Sequence, residues 1–193
     1  TADCNHEKEE LPAEWWIETG KKAVEEGMVF LLLTGGEPLI RDDFPYIYTE
    51  LRKLGLVISI NTNGYLLNGK IAELFEKNPP NRLNVSLYGS NDDTYEKLTG
   101  VRGFSTVIKN IEHMRSTGID VRLNCSLTKE NYEDMKGIFE VARKLNLHIK
   151  TTPYMYPQIR VGKSIGENEH RLDPVTAAKC RVGWSLLRYT PED

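Results

Sequence analysis

The chain has 193 residues, 39% of them hydrophobic, enough to bury one core of ordinary size. A net charge of -3 and a pI near 5.9 exclude a nonspecific nucleic-acid binder, which needs a basic face to displace phosphate counterions. No apolar run approaches the about 20 residues that span a bilayer, and no charged leader precedes an apolar core, so the expected compartment is the cytoplasm, without a membrane or nucleic-acid partner.

The first expected element is a helix from Pro12 to Gly27, with proline in its first turn, glycine at its end and Trp16, Ala23 and Val24 at helical spacing. Trp15 and Trp16 are expected to pack it against a sheet. Strand Met28 to Thr34 follows. Asp42 then caps a helix through Leu54, closed by Gly55 before strand Leu56 to Ile60. Helix Asn68 to Lys77 leads to strand Arg82 to Leu87, and helix Phe104 to Thr117 ends at Gly118 before strand Asp120 to Ser126. Helix Asn131 to Leu145 and strand His148 to Tyr154 complete the pattern.

Strands that alternate with helices and lack hairpin signals specify a parallel sheet with helices packed outside, as an open doubly wound sheet or a barrel. In either, ligands sit at the carboxyl ends of the strands. Those ends here read Thr34-Gly35-Gly36-Glu37, Asn61-Thr62-Asn63-Gly64, Ser86-Leu87-Tyr88-Gly89, Asn124-Cys125-Ser126 and Thr152 to Tyr156. They are polar and small where the strands behind them are apolar, which is more than turn chemistry requires. The first is the most specific: after buried Leu31 to Leu33, two glycines let the backbone turn with positive φ and approach a ligand. Glu37 and freed carbonyls there can accept hydrogen bonds from an ammonium group.

Taken together, these residues resemble the radical S-adenosylmethionine superfamily. Gly35-Gly36-Glu37-Pro38 after Leu31 to Thr34 matches its glycine-rich motif, and Ile60-Asn61-Thr62-Asn63-Gly64 matches the tip of the next strand. Ser86-Leu87-Tyr88-Gly89 and Val101-Arg102-Gly103-Phe104 follow in family order. The resemblance implies an α/β partial (β/α)6 TIM-like barrel that binds S-adenosylmethionine and a [4Fe-4S] cluster. It implies that Gly35, Gly36, Glu37 and Pro38 hold the methionine ammonium, that Asn61 and Asn63 lie near the ribose, and that Ser86 contacts sugar or carboxylate. Arg102 becomes a partner for the carboxylate, Asn124 reaches toward adenine, and the Tyr154 segment walls that end. Three thiolates on one cluster leave the fourth iron open to the cofactor, and a 5′-deoxyadenosyl radical then abstracts hydrogen from substrate.

The sequence departs from the family at its cluster motif, Cys-x-x-x-Cys-x-x-Cys. Cys4-Asn5 looks like its opening, but Lys8 and Leu11 occupy the next ligand positions, and the first strand is largely missing. Either the protein is a cluster-less relative, or a segment between Asn5 and His6 that carries the other cysteines is not part of this sequence. The three cysteines, Cys4, Cys125 and Cys180, are too few and too scattered for a disulfide framework. Cys125 reads as a small buried thiol on an apolar strand. The setting of Cys180, Lys179 to Ser185, resembles the start of the cysteine-rich extension called SPASM or twitch, in which cysteines hold auxiliary iron-sulfur clusters. The expected division is a barrel over 1–157, then a linker and the start of that extension over 158–193, with Pro157 to Arg171 as a mobile linker in which Arg160 could face substrate.

The expected metal ligands are therefore Cys4 and Cys180. His6, His113, His148 and His170 show no ligand spacing, the Glu7 to Glu10 run reads as a solvated face, and Asp92 and Asp93 read as surface carboxylates. The expected activity is that of a peptide maturase with a peptide or protein substrate and a flavodoxin or ferredoxin as reductant. The alternatives are a sulfatase-maturing enzyme that makes formylglycine, and a cluster-free barrel that binds a nucleotide-like ligand.

Overall fold

A computed structural model describes residues 10–153, 159–160, 163–164, 173 and 176. Helix α1 spans Ala13–Glu25 with Pro12 at its N-cap, and Ala13, Ile17 and Gly20 form its buried face. A Cβ at Gly20 would run into Leu51 Cδ2, so this glycine sets how closely α1 approaches the next helix. Trp15 and Trp16 are 45% and 42% exposed, contrary to the expected packing, because they fall beside the 13/17/20 stripe. They stack edge to face on each other instead.

Strand β1 covers Phe30–Leu33 and a 3₁₀ turn covers Pro38–Ile40. Helix α2 is Phe44–Lys53 with Asp43, not Asp42, at the N-cap; its carboxylate makes no cap bond because Arg41 takes it. Next come β2 Val57–Thr62, α3 Gly69–Lys77 and β3 Arg82–Ser86. Helix α4, Asp92–Thr99, has no counterpart in the sequence reading: Asn91 accepts from the Asp93 and Thr94 amides at its start, and Gly100 closes it with φ of 77°. Helix α5 is Phe104–Ser116, β4 is Val121–Ser126, α6 is Met135–Lys144 and β5 is Ile149–Thr152. A two-residue antiparallel pair, β6 Ile159–Arg160 with β7 Lys163–Ser164, lies in the segment read as linker.

The five longer strands form one parallel sheet in the order β1-β2-β3-β4-β5, as a partial barrel requires. The chain divides into two compact units, Thr1–Val85 with Thr106–Val121, and Ser86–Ser105 with Arg122–Asp193. In the first, Ile58, Ile60, Leu83 and Val85 turn into a core with Phe44, Tyr48, Phe75, Ile111 and Met114, and the three aromatic rings pack on one another. The alternate residues Ser59, Asn61, Arg82 and Asn84 stay half-exposed on the other face. The β1 leucines are less buried than the sequence suggests: Leu32 is 49% and Phe30 75% exposed, because β1 is the edge strand. In the second unit Leu87, Leu123, Cys125, Leu127, Ile138 and Ala142 form the core, with Tyr95 edge-on to Tyr88.

Candidate functional site

The glycine turn sits where β1 ends. Gly35 has φ of 158°, close to extended, so the pair serves less as a left-handed turn than as a bare one: a Cβ at either glycine would meet nothing within 4 Å. Thr34, Gly35 and Gly36 are exposed, leaving their backbone open to a ligand.

Glu37 is half-buried and engaged. Its Oε1 accepts from the Leu39 amide (3.1 Å) and the Thr62 hydroxyl (2.9 Å), and its Oε2 accepts from the Asn63 amide (2.6 Å). A carboxylate offers about four lone-pair sites, so one remains for a ligand cation. The tips of β1 and β2 are thereby joined through one side chain, and Asn63 contributes its backbone to that joint. Thr62 Oγ1 also accepts from the Gly64 amide, and Asn63 Oδ1 from the Tyr65 amide.

Behind this loop, Asn110 of α5 donates to the carbonyls of Gly64 (2.9 Å) and Tyr65 (3.0 Å). Gly64 has φ of 79°, and a Cβ there would lie 2.7 Å from Val85 Cγ1, so both conformation and space require glycine. Asn61 is the penultimate residue of β2, and its side-chain oxygen accepts from Asn84 Nδ2 on β3 at 2.9 Å. The structure thus brings Gly35, Gly36, Glu37, Pro38 and Asn63 to one connected turn, with Asn61 one strand residue behind.

In the second unit, Ser86 ends β3 half-buried, and the Leu87 amide donates to the Asn124 carbonyl on β4 (2.8 Å). Asn131, read from sequence as a helix start, is fully buried ahead of α6. Its Oδ1 accepts from the Thr128 amide (2.8 Å), while Nδ2 donates to the carbonyls of Ser126 (3.1 Å) and Tyr88 (3.2 Å). Asp134 accepts from the Ser90 amide and the Thr94 hydroxyl, each at 2.6 Å, which fixes the loop after β3. Arg102 is exposed and pairs with Asp93 (2.8 Å) and Glu96 (3.1 Å) of α4. Asp92 accepts from Ser105, and that bond holds its carboxyl below the usual range.

Sequence reasoning missed Asn110, Asn131, Asp134 and Arg41. For Asn110 a signal existed: it interrupts the apolar stripe Val107, Ile111, Met114 at a core-facing position, where a carboxamide needs partners.

Cys125 is buried, as expected. Desolvation, then the negative charge of Asp134, pushes its thiol up to about 12. The raised value means that folding opposes ionisation, so this contribution to stability is present below the ordinary thiol range and fades as pH rises toward about 12. Native protein at pH 8 should leave Cys125 unlabelled by iodoacetamide, and denaturant should expose it to full labelling by mass spectrometry. Rapid labelling of the native state would contradict the burial.

A parallel sheet with a bare glycine turn and polar strand tips is the frame of a cofactor-binding βα barrel. The chain matches the Radical SAM superfamily over residues 5–142 and belongs to it. It is 37% identical to a probable GTP 3′,8-cyclase of Metallosphaera sedula over 127 residues, 65% of this chain and 40% of that protein. It is 34% identical to an AdoMet-dependent heme synthase of Methanosarcina barkeri over 120 residues, 62% of this chain and 34% of that protein. Against those two, the matched part of the chain thus spans less than half the relative's length. In fold it is similar to Streptococcus suis SuiB (TM-score 0.71, 20% identity, 93% of this chain and 41% of that one). It is also similar to anSMEcpe with bound AdoMet and Cp18Cys peptide (TM-score 0.73, 18% identity, 94% and 54%).

The superfamily uses S-adenosylmethionine and a [4Fe-4S] cluster. The glycine turn fits the first: open backbone at Gly35 and Gly36, and a carboxylate with acceptor capacity left. The cluster is different. Cys4 and Cys180 lie outside the described residues, Cys125 is buried with a suppressed thiolate, and no group of three or more His, Cys, Asp or Glu among the described residues could hold a metal ion. With Lys8 and Leu11 in the other two motif positions, this sequence does not by itself supply the three thiolates. Among the described residues, no helix is long and apolar enough to cross a membrane.

Proposed function

We propose that this chain is the S-adenosylmethionine-binding body of a radical enzyme that modifies a peptide or protein side chain. The observation that carries the reading is the Gly35-Gly36-Glu37 turn joined to Asn63, an open backbone beside a carboxylate with one acceptor site left, which suits an α-ammonium group. Bound there, S-adenosylmethionine would supply a 5′-deoxyadenosyl group for hydrogen abstraction. The chain's own residues bind and orient it: carbonyls of the glycine turn and Glu37 receive the ammonium, and Asn61 and Asn63 lie toward the ribose. Residues 1–157 form the binding body, and 158–193 a linker and the start of a SPASM-like extension, in which Cys180 is a cluster ligand. Cys4 is the first ligand of the main cluster, and an electron carrier such as flavodoxin or ferredoxin in the cytoplasm serves as reductant.

Support for a peptide substrate comes from the fold: a relative structure of SuiB is of the enzyme bound to precursor peptide SuiA, and anSMEcpe was crystallised with peptides. Formylglycine formation on a peptide or protein side chain is a related alternative. A different reading, cyclisation of a nucleotide, is favoured by the 37% identity to a probable GTP 3′,8-cyclase. A cluster-free barrel is favoured by Lys8 and Leu11.

Anaerobic reconstitution of the protein with iron and sulfide, followed by dithionite and S-adenosylmethionine, tests the radical chemistry. A brown protein that releases 5′-deoxyadenosine supports it, and colourless protein with intact cofactor favours the cluster-free reading. With active protein, a candidate peptide should lose hydrogen while GTP remains unchanged; conversion of GTP would select the cyclase reading.

A further inference from the structure

Arg41 follows the 3₁₀ turn that closes the glycine motif, and its guanidinium is almost wholly committed. Nε and Nη2 grip the two oxygens of Asp43 at 2.9 and 2.8 Å, Nη1 donates to Glu10 at 2.7 Å, and Nη2 also donates to the Leu11 carbonyl at 3.1 Å. Its side chain is 20% exposed, whereas that of Glu10 is 72% exposed. One planar fork therefore joins the residues that enter α1 to the N-cap of α2, across about thirty residues of sequence. Pro12, the α1 N-cap with φ of -66°, stiffens the segment that Arg41 holds.

The clamp is not needed to keep the two helices together. Gly20 already seats α1 against Leu51, and an ion pair with so exposed a partner adds little stability. What it fixes is the far end of the glycine turn. Glu37 ties the end of that turn to Thr62 and Asn63, and Arg41 anchors the chain again four residues further on, at Glu10, Leu11 and Asp43. Between these anchors only Pro38, Leu39 and Ile40 intervene.

We propose that Arg41 is a positioning residue for the methionine end of S-adenosylmethionine, holding Gly35 to Glu37 in the shape that receives the ammonium; this rests on the function proposed above. A lysine can satisfy one carboxylate at a time as a point charge, whereas glutamine loses the charge and the fork. Loosening residue 41 lets the turn sample other conformations, and affinity falls by the fraction of time spent in them.

The test is calorimetric titration of S-adenosylmethionine into the full chain without added iron, together with amide exchange of residues 35–40 and the thermal midpoint. R41Q should bind about tenfold more weakly and exchange faster at 35–40, with a midpoint close to that of the unaltered protein. R41K should recover part of the affinity, and K53A, which removes a similarly exposed pair with Glu50, should change nothing. Equal affinity in R41Q and the unaltered protein overturns the inference, as does an affinity loss that tracks a fallen midpoint. Absence of binding by the unaltered protein, both here and after anaerobic reconstitution with iron and sulfide, would instead overturn the functional reading on which it rests.

Discussion

Replacing Glu37 with alanine is expected to abolish measurable S-adenosylmethionine binding and to lower unfolding free energy by about 3 kcal/mol, since a charged acceptor of three hydrogen bonds is removed. The two effects have one cause. Without the carboxylate, the Asn63 amide and the Thr62 hydroxyl lose their shared partner, the tips of β1 and β2 come apart, and the ammonium loses its counter-charge. Glutamine at 37 should be intermediate in stability, because its oxygen can keep one side of the joint while its NH2 opposes a donor on the other. Urea unfolding and calorimetry measure both quantities. Normal binding by the alanine variant would show that the turn holds its ligand through the glycine backbone alone.

The second large effect is expected at Asn131, which is fully buried. Substitution by leucine strands the Thr128 amide and the carbonyls of Ser126 and Tyr88 at once, at a cost of about 2–4 kcal/mol. Aspartate should be no better, since its second oxygen would face two carbonyls where an NH2 now donates. A urea midpoint within error of the unaltered protein would mean that these groups find other partners.

The elements that build the sheet were legible because their signals are local. Proline before α1, glycine after α2 and α5, and short apolar runs between them each follow from backbone chemistry that a single sequence displays. Helix α4 displays such signals too, in Asn91 and Gly100, but its few apolar residues leave no stripe to draw attention. Strand β1 looked fully buried because composition cannot reveal that a strand lies at an edge.

The site residues divide on the same line. Gly35, Gly36, Glu37 and Asn63 stood out because glycines and polar residues at an apolar strand's end have few other reasons to be there. What they touch was not legible. Glu37 could be expected to accept hydrogen bonds, but its partners Thr62 and Asn63 lie 25 and 26 residues away and are found only once β1 and β2 pair. Asn110, Asn131 and Arg41 act through partners more distant still or through loop carbonyls, and outside an apolar stripe such as that of Asn110 an isolated asparagine or arginine in sequence is indistinguishable from a solvated one.

The loop from Thr62 to Tyr65 has its amides and carbonyls tied by Thr62, Asn63 and Asn110, with Gly64 wedged against Val85. Such a loop has surrendered its freedom during folding, so a nucleoside that binds there, as proposed, would find that surface already set and lose little entropy in ordering it. Association at this edge should therefore resemble a key entering a finished lock, quick to engage and sensitive to small errors in shape.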